Sequence, residues 1–192
     1  MKTEIEYFPF ANEKILRCSM PNYQDINRSL MKDLHRERDN FTYSHLINGR
    51  WENTYLPIQE VSRAREVILF SRNLVLDALG IRLLALFSPQ GIIRNSPFWF
   101  NLAERGETTG VHNHVGEATF SGVYYVLAQT QSGNLFFRAE GEEDFALEPV
   151  EGNCVLFPST LRHGVHENLS SEVRISLAFN LFSIPFPLSS EI

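Results

Sequence analysis

The sequence predicts a mainly β protein with N-terminal helices, folded as a sandwich or jelly roll, and three observations carry that reading. From Pro97 onward, short segments rich in aromatic and branched residues alternate with Gly, Asn, Ser and Pro, the pattern of many short strands joined by turns. Before that point, two stretches carry apolar residues at helical spacing. A chain of 192 residues that is 43% hydrophobic has enough apolar surface to bury a real interior.

In chain order, the first helix is expected over about residues 22–39, where Ile26, Leu30 and Leu34 recur every four positions. The second is expected over about 58–80, where Val61, Ala64, Ile68, Val75 and Leu79 follow steps of three, four or seven. Asp25 and Pro57 suit helix openings, and Gly80 suits a C-terminal stop. The charged run from Lys32 to Asp39 reads as a solvated helix face. Strands are expected at Phe98 to Leu102, Val111 to His114, Thr119 to Leu127, Leu135 to Arg138, Val155 to Phe157 and Val173 to Phe182. Gln131-Ser132-Gly133-Asn134 reads as a hairpin turn between two of them, and Glu140-Gly141-Glu142-Glu143-Asp144 as an exposed acidic loop. The division is then 1–95, a helical extension packed on the core, and 96–192, the β core, in one structural unit.

Composition excludes several function classes. With 23 acidic against 17 basic residues, a net charge of -6 and no Lys/Arg run, the chain lacks an electrostatic footprint for nucleic acid. No apolar run reaches the roughly 18 residues of a membrane span, and the acidic start Met1-Lys2-Thr3-Glu4-Ile5-Glu6 lacks the apolar core of a signal peptide. Cys18 and Cys154 have no CxxC spacing and read as buried small hydrophobes in a reducing compartment. A soluble, cytoplasmic protein is expected, and a homodimer is compatible with the sequence.

The chemistry concentrates in His112-Asn113-His114. On a strand, residues two apart point to the same side, so His112 and His114 can grip one metal, with His163 converging from another strand. A helix forbids this geometry, which removes His35-Arg36-Glu37. His35, His45 and His166 read as ordinary core or surface residues. Imidazole suits iron, zinc, copper and nickel alike. Arg174 shares strand parity with Ser176, and a guanidinium beside a hydroxyl is a natural clamp for a carboxylate. One strand, a turn at Asn168 to Ser171 and a return strand would bring Arg174 back beside the metal.

The ordered run Trp99-Phe100-Asn101, Gly106, His112-x-His114, Ser121-Gly122-Val123-Tyr124-Tyr125-Val126, Ser132-Gly133-Asn134-Leu135, Phe157-Pro158-Ser159-x-Leu161-x-His163 and Arg174-Ile175-Ser176-x-Ala178-Phe179-Asn180 resembles the 2-oxoglutarate and Fe(II)-dependent oxygenases of bacteria and phages. The likeness extends loosely to Asn48-Gly49-Arg50-Trp51. It implies a double-stranded β-helix, cupin-like in form, with Fe(II) on His112, His114 and His163 and with 2-oxoglutarate held by Arg174 and Ser176. Asn101, Tyr124 and Tyr125 are weaker assignments to the cosubstrate pocket. The implied activity is a dioxygenase that consumes O2, hydroxylates a small-molecule or peptide substrate, and forms succinate and CO2.

The wider class carries an acid where this chain has His114, so the site is either three-histidine or completed by Glu117. Two alternatives remain: a cupin-type metal-dependent dioxygenase, for which the Arg-x-Ser pair has no purpose, and a β-helix binding protein without catalysis.

Overall fold

The computed structural model describes residues 4–47, 50–87 and 97–184. Residues 1–3 of the acidic start, Asn48 and Gly49 of the looser resemblance, and the 95/96 boundary lie outside the described residues. The described residues form strands β1 (Ile5–Phe10), β2 (Glu13–Ser19), β3 (Thr42–Ile47), β4 (Arg50–Tyr55), β5 (Leu84–Ala85), β6 (Phe98–Ala103) and β7 (Thr109–His112). They continue with β8 (Phe120–Leu127), β9 (Leu135–Arg138), β10 (Phe145–Leu147), β11 (Asn153–Pro158), β12 (Arg162–Val165) and β13 (Arg174–Phe182). Helices α1 (Tyr23–Arg36) and α2 (Ser62–Leu79) complete the set, with a short 3-10 turn at Arg38–Asn40. No described helix is long and apolar enough to cross a membrane.

The helices form where the periodicity places them. In α1 the four-residue repeat buries Ile26, Leu30 and Leu34, and α2 buries Ala64, Val67, Ile68, Leu74 and Val75. Gly80 ends α2 in the left-handed conformation (φ 71°), its N–H donating to the Leu76 carbonyl.

Two sheets carry the rest. The larger has the order β1-β2-β11-β8-β13-β6-β4-β3, with β5 on β13, and the smaller is β10-β9-β12-β7. Strand β13 is buried along its whole length because both its faces are covered. Ile175, Leu177, Phe179 and Leu181 pack in the core that also holds the α1 and α2 residues, while Arg174, Ser176, Ala178 and Asn180 line a cavity on the opposite face. Strand β8 alternates the same way, with Tyr124 and Val126 in the helix-side core and Val123 and Tyr125 lining the cavity.

The structure departs from the sequence reading at three places. The N-terminal region supplies strands β1 to β4 as well as helices, and β2 and β4 pair with β11 and β6 of the β-rich half. None of these strands alternates cleanly between apolar and polar: β1 (IEYFPF) is a nearly continuous apolar run and β2 (EKILRCS) pairs adjacent apolar residues. Second, Gln131 to Asn134 is not a hairpin turn, because β8 pairs with β11 and β13 while β9 pairs with β10 and β12. The turn residues there reverse the chain locally but carry it from one sheet to the other. Third, β12 and β13 lie in different sheets, so the chain crosses from one sheet to the other after Asn168, and Arg174 comes into the cavity that His163 lines from the opposite sheet. The buried Asn168 holds this crossing, its Nδ2 donating to the carbonyls of Ala103 and Glu172, both at 2.9 Å.

Gly122 on β8 permits close packing in the helix-side core, because a Cβ there would lie 2.3 Å from the Phe179 ring and 2.8 Å from Leu156. Gly122→Ala should therefore destabilise the fold by about 1–3 kcal/mol through overpacking. A urea unfolding midpoint unchanged from wild type would contradict this packing.

Candidate metal centre and cosubstrate cavity

Strands β7 and β12 pair so that His112 stands directly opposite His163, which brings the ring centroids to 4.4 Å. His114 reaches the same point by another route. Strand β7 ends at His112, so the expected strand from Val111 to His114 stops short. His114 instead lies in a turn, pinned by its own N–H to the Ser159 carbonyl (2.9 Å), while its carbonyl accepts from Glu117 N and Ala118 N. The expected convergence survives, but a pinned loop produces it, not strand parity. The three ring centroids lie 4.4–5.6 Å apart, and one ligand nitrogen from each ring falls within 4.8 Å of the others.

The hydrogen bonds decide which nitrogen is free. His112 Nδ1 faces the Gly110 carbonyl at 2.8 Å, His163 Nδ1 the Leu161 carbonyl at 3.0 Å, and His114 Nδ1 the Glu117 carboxylate at 3.2 Å. Each Nδ1 faces an acceptor and so carries the proton, which leaves three Nε2 lone pairs for one ion. Burial, followed by the neighbouring His112, pushes His163 down to about 3 and lowers His114 as well. Both rings are thus held neutral, the form that ligates metal. Three neutral nitrogen donors fit a divalent first-row metal such as Fe(II). Glu117, the alternative ligand, stands behind His114 as its hydrogen-bond partner and is not one of the three converging groups.

The histidines open onto a cavity of about 640 Å³, which Arg174 and Ser176 also line. Arg174 is 2% exposed. Its Nη1 donates to the carbonyls of Ser132 (2.5 Å) and Gly133 (3.3 Å). Among the described residues these are its only hydrogen bonds, and no carboxylate lies within ion-pair distance. Burial lowers its proton affinity, yet a guanidinium stays charged at any ordinary pH. The result is a buried cation with Nε and Nη2 available and no counter-ion, an arrangement that calls for an anion. Gly133 makes room for it, since a Cβ there would lie 2.6 Å from Arg174 Nη1.

The weaker assignments divide. Asn101 lines the cavity, its Nδ2 bound to the Glu52 carbonyl (2.8 Å) and Asn53 Oδ1 (3.1 Å). Tyr125 lines it too, and burial pushes its phenol up to about 12. Tyr124 lies on the other face of β8, where its hydroxyl donates to Asn27 Oδ1 of α1 at 2.5 Å. The sequence reading also passed over two cavity residues. Trp99, given no role of its own in the sequence reading, stands with its ring 5.9 Å from His114, and its alternation with the buried Phe98 and Phe100 was the available signal. His45, taken as bland, lines the cavity from β3.

Residues 138–180, which include His163, Arg174 and Ser176, match a family described as "Putative 2OG-Fe(II) oxygenase". No curated protein matches the chain by sequence. Among solved structures, the chain is similar to a prolyl-4-hydroxylase from Pseudomonas putida, with 18% identity, 86% of this chain and 92% of that one covered, and a TM-score of 0.62. It is similar to an oxidoreductase of the 2OG-Fe(II) oxygenase family from Burkholderia pseudomallei, with 13% identity, coverage of 93% and 72%, and a TM-score of 0.54. A third is the epimerase SnoN in complex with Fe3+, alpha ketoglutarate and nogalamycin RO, with 11% identity, coverage of 87% and 78%, and a TM-score of 0.63. At these identities the likeness to the solved structures is one of fold. The fold is thus the double-stranded β-helix of these structures, and over residues 138–180 the chain is similar to the 2-oxoglutarate/Fe(II) oxygenases.

Proposed function

We propose that the protein is an Fe(II)- and 2-oxoglutarate-dependent dioxygenase that hydroxylates a small-molecule or peptide substrate. In this reading Nε2 of His112, His114 and His163 hold the metal, and Arg174 with Ser176 holds the far carboxylate of 2-oxoglutarate. The observation that carries it is the buried, counter-ion-free Arg174 sharing one cavity with three histidines whose Nδ1 atoms are already engaged. When bound, the iron and the oxoacid supply the oxidative chemistry, in which O2 and 2-oxoglutarate yield succinate, CO2 and one oxygen atom for the substrate.

The chain's own residues contribute orientation and exclusion. The carbonyls of Gly110 and Leu161 and the Glu117 carboxylate fix the three rings and raise their basicity as ligands. The carbonyls of Ser132 and Gly133 hold Arg174 in place, so that its fork presents a fixed pair of donors to a carboxylate. Ser176, on the same face of β13, adds a hydroxyl beside that fork, while Leu135 and Val165 give the cavity apolar walls that limit water. A cupin-type dioxygenase leaves Arg174 without a role. A binding protein without catalysis would take up metal and oxoacid yet form no succinate.

Anaerobic addition of Fe(II) and 2-oxoglutarate to the wild type should give the visible charge-transfer band of the chelate, and admission of air should yield succinate. Absence of the band would remove the oxygenase reading. Arg174→Ala should weaken 2-oxoglutarate by about 2–5 kcal/mol, as expected when one partner of a buried charge pair is truncated, while sparing iron. Unchanged oxoacid affinity would remove Arg174 from the site. Glu117→Ala should weaken metal by about 10–100-fold, the usual effect of losing a histidine's carboxylate partner, and His114→Ala should weaken it further. The reverse order in calorimetric titration would make Glu117 the ligand.

A further inference from the structure

The β3–β4 hairpin forms one wall of the cavity, and its hydrogen bonds have a direction that can be read from one end. The Glu52 carbonyl only accepts, so Asn101 turns its Nδ2 towards it, and the same nitrogen donates to Asn53 Oδ1. Asn53 is thereby oriented with its Nδ2 towards His45 Nδ1 and Tyr55 Oη, each at 3.2 Å. An amide nitrogen cannot accept, so His45 Nδ1 holds a lone pair and the ring proton sits on Nε2. Ser44 Oγ closes the network, 2.7 Å from His45 Nδ1 and 2.8 Å from Tyr55 Oη. Among the described residues, the Nε2–H of His45 has no partner.

His45 reaches this position only through a strained backbone. In a regular strand it would face away from Ser44. Its φ of 61° lies in the left-handed region, which a histidine rarely adopts. Ser44 pairs with Asn53 and Leu46 with Trp51, but the His45 position between them drops out of the ladder. The ring therefore joins Ser44 and Asn53 instead of alternating with them, and it lines the same cavity as the three-histidine cluster. Strain held in place by two hydrogen-bonded neighbours, Ser44 and Asn53, is a feature of binding sites. Arg174 is the only Lys or Arg among the described residues lining the cavity, and it is assigned to the oxoacid. An anionic group at the hairpin wall would face the Glu52 carboxylate and no Lys or Arg among the described lining residues, whereas a neutral oxygen would find a waiting donor.

We propose that this hairpin is the substrate-recognition wall, and that His45 is its specificity-determining residue, donating from Nε2–H to a neutral carbonyl or hydroxyl oxygen of the substrate. The assignment of that ligand as the oxidised substrate rests on the oxygenase reading above. The donor itself does not.

The test uses the full chain with Zn(II) in place of iron, labelled with 15N histidine, in long-range proton–nitrogen correlation spectra at about pH 8, where imidazoles are neutral. His45 should appear as the Nε2–H tautomer, and Asn53→Asp, which replaces the amide donor by an acceptor, should move the proton to Nδ1. N-methylacetamide and ethylene glycol then serve as carbonyl and hydroxyl probes. A saturable shift of the His45 signals with either one names the class of oxygen, and acetate should give none. In Asn53→Asp the affinity for that probe should fall by about three- to tenfold, the worth of one neutral hydrogen bond. If that variant fails to fold, His45→Gln, which keeps a side-chain N–H, should retain the probe and His45→Phe should lose it.

An Nδ1–H tautomer in the wild type, a response to acetate alone, or no response to either neutral probe overturns the proposal. The oxygenase reading fails on a different readout, the absence of Fe(II)-dependent 2-oxoglutarate binding by wild type, so the two failures are distinguishable.

Discussion

Burial of both faces of β13 is the constraint from which the site follows. A strand in that position must send every second side chain into the helix-side core, and here Ile175, Leu177, Phe179 and Leu181 meet that demand. The residues between them are then fixed on the cavity face with no freedom to turn elsewhere. Arg174 is carried in this way into the interior, where a charged group is tolerated only with partners. The carbonyls of Ser132 and Gly133 satisfy one of its nitrogens. The long crossing from β12 to β13, tied down by Asn168, sets the strand that carries Arg174 across the cavity from the sheet that carries His112 and His163.

The charge pattern follows from the same packing. Three imidazole ligands, which bind metal as neutral donors, leave a divalent metal with its full charge, and Arg174 adds a second positive centre in the same cavity. A dianionic oxoacid matches two such centres, one at each end. Glu117 moderates the first from behind His114, where a carboxylate orients the ring and does not itself neutralise the metal. The hairpin wall, by contrast, lines the cavity with Glu52 and neutral groups and with no Lys or Arg among the described residues, so it differs from the rest of the cavity in the chemistry it can hold.

How far the sequence revealed this depended on how local each signal was. His112 and His163 were legible because an HxH pair and a distant histidine are compact patterns, and Arg174 with Ser176 because two-residue parity on a strand is reliable. The convergence of His114 was read for an incomplete reason, since its loop is pinned by Ser159, a contact that spacing does not encode. Tyr124 was misplaced because β8 is apolar on both faces, so its sequence shows no alternation to distinguish Tyr124 from Tyr125. The strands before residue 96 were missed because none alternates cleanly, β1 being a nearly continuous apolar run and β2 placing its apolar residues side by side. His45 was invisible because its orientation depends on a left-handed φ that no pattern of residue types predicts.

A crystal of the protein grown anaerobically with Fe(II) and 2-oxoglutarate, with anomalous scattering recorded at the iron edge, tests the central claim most directly. The account predicts one iron bound by Nε2 of His112, His114 and His163, and the far carboxylate of the oxoacid on Arg174. Iron bound by the Glu117 carboxylate in place of His114, or the oxoacid seated away from Arg174, would contradict it.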